Sequence, residues 1–150
     1  MMKEILFVCT GNTCRSPMAE VLLRDKIAQA GLQDALQTSS AGMAAMEGAA
    51  ATIHACAAVK AIGLSLEKHQ ARMLTKDLVE KADLVLTMTA RHAETVLQAL
   101  PAANGKVFTL PEYAGTAGEI ADPYGGDLAS YRACLLDLQK NINSIWEKIK

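Results

Sequence analysis

The chain has 150 residues, 51% of them hydrophobic and 21% charged, with a formal net charge of −1. That length buries a full core as one domain over 1–150, and the balance excludes extended disorder. No basic field points to nucleic acid, and no apolar run approaches the roughly 20 residues of a membrane span.

Residues 6–8, Leu-Phe-Val, read as a short buried strand that stops at Cys9. The run is too short for a secretory leader, and Glu4 interrupts its approach, so a cytoplasmic location is expected. In that compartment the four cysteines, at 9, 14, 56 and 134, are expected as thiols. Cys56 and Cys134 lie in Ala-rich and Leu-rich helical settings and read as small buried hydrophobes.

Apolar residues at helical spacing predict a helix over 17–30, with Ser16 as its N-cap, Pro17 at its first position and Gly31 as its stop. A second strand is predicted over 36–40, a helix over 49–62 capped by Gly63, and a short helix over 78–82. The run Leu84-Val85-Leu86-Thr87-Met88 reads as a strand covered on both faces. Thr89 caps a helix ending near 100, 107–110 is a fourth strand, and 127–148 is a long amphipathic closing helix. Residues 111–126, rich in glycine and proline, read as a long functional or mobile loop. Strands alternating with helices argue a three-layer α/β fold: a four-stranded parallel sheet with helices on both faces.

In such sheets ligands bind beyond the carboxyl ends of strands, where Cys9 stands before a loop that opens a helix. Helix N-termini offer free N–H donors and partial positive charge, which hold anions and favour thiolates. Arg15, six positions on, adds a planar cation whose fork matches two phosphate oxygens. Cys9 with Arg15 thus reads as nucleophile and clamp, with the backbone from Thr10 through Gly11, Asn12, Thr13 and Cys14 to Arg15 wrapping a phosphoryl group. The C-x5-R spacing alone is weak, and its strand-loop-helix setting carries the weight. Cys14 admits three readings: a zinc ligand with Cys9, though C-x4-C without a second pair is a poor zinc pattern; a structural thiol; or a resolving thiol that captures oxidised Cys9. A leaving group needs a proton donor, and Asp122, stiffened by Pro123, is the best candidate.

The stretch Val8-Cys9-Thr10-Gly11-Asn12-Thr13-Cys14-Arg15-Ser16-Pro17, with Ser40-Ala41-Gly42 and Asp122-Pro123-Tyr124, resembles the low-molecular-weight protein tyrosine phosphatases. The resemblance implies a phosphoenzyme on Cys9, with Arg15 as phosphate clamp, Asp122 as acid and then base, no cofactor and no metal. It also implies that Asn12 and Ser40 hold the loop, that Ser16 donates to the Cys9 sulfur and that His69 supports Asn12. Two departures stand out: Thr13 replaces the usual bulky aliphatic residue, and Met43-Ala44-Ala45-Met46 lacks the usual aromatic wall. The Cys-Thr-Gly-Asn-Thr-Cys-Arg loop and the Asp-Pro-aromatic-Gly-Gly ending instead look like the bacterial protein-arginine phosphatase branch. There the threonine matching Thr13 is associated with phosphoarginine, and Tyr124, the aromatic of that ending, is the second candidate specificity residue. The implied partners are phosphorylated proteins carrying phosphoarginine, with phosphotyrosine as the alternative. The plainer reading of Thr13 is a hydroxyl that only stabilises the loop. A thiol redox protein of the arsenate-reductase kind is the remote alternative, but it needs relay cysteines that 84–94 does not contain.

Overall fold

The structure is a computed structural model that describes residues 2–150. Four strands, β1 (Lys3–Cys9), β2 (Leu36–Gly42), β3 (Leu84–Thr87) and β4 (Val107–Thr109), form one parallel sheet in the order β2-β1-β3-β4. The alternation of side chains along β1 feeds two cores. Ile5 and Phe7 face helices α1 (Arg15–Gln29), α2 (Ile53–Lys60), α5 (Leu110–Ala114) and α6 (Leu128–Ile149). Leu6 and Val8 face α3 (Lys76–Lys81) and α4 (Ala90–Ala99). Three layers result, as the alternating pattern requires. Among the described residues, no helix is long and apolar enough to cross a membrane.

α6 buries Tyr131, Cys134, Leu135, Leu138, Ile142, Ile145 and Ile149, a stripe at helical spacing that packs on α1, α2 and α5. Asp127 caps it by accepting the Ser130 N–H. Burying each such aliphatic side chain stabilises the fold by about 1.5–3 kcal/mol.

Three predicted boundaries are corrected. Ser16 is not an N-cap: α1 starts at Arg15, and the Ser16 hydroxyl is engaged by Cys9 and Asn12 instead. The 49–62 helix begins only at Ile53, because Gly48 and Ala49 exchange backbone hydrogen bonds with Ala71 and Thr52 caps the helix. The supposed loop over 111–126 opens with α5, which has Pro111 in its first turn and a capping box between Thr109 and Glu112.

Candidate active site

The chain leaves β1 toward β2 on one side and reaches β3 on the other, so the β1/β3 boundary is the switch point of the sheet. Cys9 ends β1 there, and residues 10–14 form the loop into α1. The loop carbonyls are taken from outside. Cys9 accepts from Met43 at 2.9 Å, Thr10 from Ala44 at 2.9 Å, and Thr13 from Thr52 at 3.0 Å. The Asn12 carbonyl accepts from His69 Nε2 at 2.7 Å. In a trans peptide the N–H points opposite to its carbonyl, so the loop's N–H groups turn inward. They make a concave donor cluster suited to an anion.

Asn12 holds this shape. Its φ is 56°, making it the one non-glycine residue with positive φ among those described, and it is fully buried. Asparagine tolerates this region better than most residues. Its Nδ2 donates to Ser16 Oγ and to Ser40 Oγ, each at 2.9 Å, and its Oδ1 accepts the Arg72 backbone N–H at 2.9 Å. Behind it, Gly42 is needed for close approach: a Cβ there would lie 2.6 Å from Thr10 O and 2.9 Å from Asn12 N.

The Cys9 sulfur lies 2.8 Å from Ser16 Oγ. Arg15 is 4% exposed; its Nη1 donates to the Ile120 carbonyl at 3.0 Å and its Nη2 lies 3.6 Å from Asp122 Oδ2. Asp122 is half exposed, and its Oδ1 accepts the Tyr124 N–H at 3.1 Å in a local turn. Cys9, Thr10, Gly11, Thr13, Cys14, Arg15, Asp122 and Tyr124 line one cavity of about 470 Å³, rimmed by Ala44, Met46, Ala49 and Ala50. A larger cavity of about 650 Å³ lies behind the loop among Glu20, Arg24, Ser40, His69 and Arg72, and it contains no nucleophilic thiol.

The structure therefore brings the candidate site residues of the sequence together: Asn12, Ser16, Ser40 and His69 support the loop from behind, and Cys9, Thr10, Gly11, Thr13, Cys14, Arg15, Asp122 and Tyr124 line its mouth. Cys14 Sγ faces the Tyr131 hydroxyl at 3.3 Å and Thr52 Oγ1 at 3.7 Å. Burial and that contact push the Tyr131 phenol up to about 12, keeping it protonated beside the sulfur. Burial likewise pushes the Cys134 thiol up to about 12, in keeping with a core role. Arg72, Thr52, Tyr131 and His92 were not foreseen. His92 Nε2 lies 3.0 Å from Thr10 Oγ1. None of the four carries a local signal, although Arg72 stands three residues after His69.

A thiol and a guanidinium around a donor-lined loop, with a carboxylate at its mouth, define a cysteine-based phosphatase site. The model of the family described as low molecular weight phosphotyrosine protein phosphatase matches residues 4–150. A protein-arginine-phosphatase of Geobacillus stearothermophilus is 40% identical over 98% of this chain and 96% of its own. The probable low-molecular-weight protein-tyrosine-phosphatase EpsP of Ralstonia nicotianae is 35% identical over 100% of this chain and 98% of its own. The crystal structure of a low-molecular-weight protein tyrosine phosphatase from T. tengcongensis superimposes with a TM-score of 0.92 at 37% identity, covering 97% of this chain and 99% of the other. The chain belongs to the low-molecular-weight protein tyrosine phosphatase family and is a cysteine-based phosphatase.

Proposed function

We propose that residues 1–150 act as a single phosphatase domain that removes phosphate from phosphoarginine in proteins. The Cys9 sulfur attacks phosphorus, the P–N bond to the guanidine breaks, and Asp122 gives its proton to the leaving nitrogen. Water then attacks the phosphocysteine, Asp122 takes a proton from it, and the S–P bond breaks to release inorganic phosphate and the Cys9 thiolate. Arg15 and the N–H groups from Thr10 to Arg15 hold the equatorial oxygens, where charge builds in the transition state. Asn12, Ser40 and His69 keep the loop in its strained shape, and Ser16 donates to the sulfur.

The observation that carries the arginine reading is Thr13, which lines the Cys9 cavity, whose rim on the side of residues 44–50 is alanine and methionine without a ring. A guanidinium brings polar N–H groups next to phosphorus. A hydroxyl there can bond substrate or attacking water, whereas an aliphatic side chain desolvates them at a cost of about 1–3 kcal/mol. The Asp122 carboxylate suits the cationic guanidinium before it protonates the nitrogen. The Geobacillus stearothermophilus relative, named as a protein-arginine-phosphatase, adds support.

One observation favours phosphotyrosine instead: Tyr124, 71% exposed at the mouth, is a ring on which a phenyl group can stack. Parallel turnover of arginine-phosphorylated and tyrosine-phosphorylated proteins separates the two. Thr13→Ile is expected to shift the ratio toward tyrosine; an unchanged ratio overturns the role given to Thr13.

Cys14 has the resolving role in the same reading. The sulfenic acid of oxidised Cys9 condenses with the Cys14 thiol, forming a disulfide and releasing water. Both residues line the same cavity. Peptide mapping after mild peroxide treatment is expected to find the Cys9–Cys14 disulfide; free Cys14 beside over-oxidised Cys9 contradicts it.

A further inference from the structure

Thr10 follows the nucleophile, and its hydroxyl contacts His92 Nε2 on the first turn of α4 at 3.0 Å. The hydroxyl has no other hydrogen-bond partner among the described residues. His92 is 9% exposed, and its Nδ1 is buried without a partner among the described residues. We propose that the Thr10 hydroxyl is a side-chain donor to the bound phosphoryl group, and that His92 is the positioning residue that turns its hydrogen there. The inference rests on the phosphoryl-transfer reading above.

The unpartnered Nδ1 decides the direction of the bond. A neutral imidazole carries one proton, on either nitrogen. On Nδ1 it would be a buried N–H without an acceptor, and Thr10 would give its own hydrogen to Nε2. Thr10 would then show only lone pairs to an anion. On Nε2 the proton is donated to Thr10, and the defect at Nδ1 is a bare lone pair. Orphaned buried N–H groups are the rarer defect in folded proteins, so the second arrangement is favoured. Thr10 then accepts from His92, and its hydrogen is free for the cavity that it shares with Cys9 and Arg15.

The turn that carries the ring is anchored, and the ring is neutral. The His92 backbone N–H reaches Thr89 Oγ1 at 3.3 Å, and the Ala90 N–H at the helix start donates to Glu119 at 2.7 Å. Burial first, and then the Arg15 charge, push the imidazole below its ordinary value, against weaker upward pulls from Glu119 and Asp122. A Thr10 hydroxyl oriented by a helix-borne imidazole needs little reorganisation as charge develops on the phosphoryl oxygens.

The test uses the intact protein, an arginine-phosphorylated protein and p-nitrophenyl phosphate. Thr10→Val is expected to lower kcat/KM about 10–100-fold on both substrates. His92→Leu is expected to lower it about 10-fold, and His92→Gln, which keeps an N–H donor, to recover most of that. Adding His92→Leu to Thr10→Val should change kcat/KM by less than about twofold, because His92 acts through the hydroxyl. Fully additive losses, or His92→Leu at the wild-type rate, overturn the inference. The nitrogen-15 shifts of His92 in the wild-type protein read the tautomer without any variant: protonation at Nε2 is expected, and at Nδ1 it overturns the inference. A wild-type protein that hydrolyses neither substrate brings down the phosphoryl-transfer reading itself. Wild-type turnover with an unaffected Thr10→Val brings down only this inference.

Discussion

Ser16 Oγ stands 2.8 Å from the Cys9 sulfur while accepting the Asn12 side-chain amide at 2.9 Å. With Asn12 on one lone pair, the serine hydrogen is left for the sulfur. A hydrogen bond to a charged partner contributes about 1.5–3 kcal/mol. Ser16→Ala should therefore slow phosphoenzyme formation roughly 10–100-fold at unchanged pH. Rapid-quench measurement of phosphate bound to Cys9 checks this; a rate within about twofold of wild type would sink it.

Asp122 meets Arg15 at 3.6 Å yet is half exposed, so it is oriented without being locked. If it protonates the leaving group, Asp122→Asn should lower kcat/KM, which ends at phosphoenzyme formation and leaves out the water step common to all substrates, about 10²–10⁴-fold on a phosphorylated protein. On p-nitrophenyl phosphate, whose leaving group needs no proton, the loss should be much smaller. Equal losses on both substrates would place Asp122 in binding rather than proton transfer.

The Gly42 position tests the loop support from behind. A Cβ 2.6 Å from Thr10 O and 2.9 Å from Asn12 N meets backbone that cannot swing away. Gly42→Ala is expected to destabilise the fold by about 1–3 kcal/mol, as overpacking does, and to abolish turnover. A urea midpoint equal to that of wild type would show that the loop yields.

The same imidazole that faces Thr10 gives a pH dependence to stability. Its folded value is pushed below the ordinary 6.5, so between the two values the unfolded chain binds more protons. The stability from neutral His92 is complete above about 6.5 and lost as pH falls through the lower folded value. Melting temperatures at pH 7.5 and 5.5 should fall further apart in wild type than in His92→Gln. Equal differences would refute the assignment.

The site was legible in sequence because it is largely local. Cys9 to Arg15 lie in one loop between a strand and a helix, and Asp122-Pro123 marks its own turn. Two element errors had the opposite origin. Residues 49–52 are alanine-rich, but the pairing of Gly48 and Ala49 with Ala71, far along the chain, outweighed that helix propensity. The glycine and proline content of 111–126 hides α5, although proline in a first turn forfeits no helical bond. The Thr-x-x-Glu spacing of Thr109 and Glu112 was the signal passed over. His92 and Arg72 reach the loop from 82 and 60 positions away, and no spacing within a single sequence announces such contacts.

The Arg15 bond to the Ile120 carbonyl spans 105 positions, and the Ile120 N–H in turn donates to the Met88 carbonyl. At synthesis rates of roughly 5–20 residues per second, the ribosome delivers Ile120 some 5–20 s after Arg15. Through that interval the nascent chain carries the Cys9 thiol and its loop while Arg15 lacks both its carbonyl anchor and its neighbouring carboxylate. With Arg15 and Asp122 in the roles proposed above, turnover should switch on only with completion of the chain's last third, and a product stopped before residue 120 keeps the thiol without the Ile120 anchor or the Asp122 carboxylate.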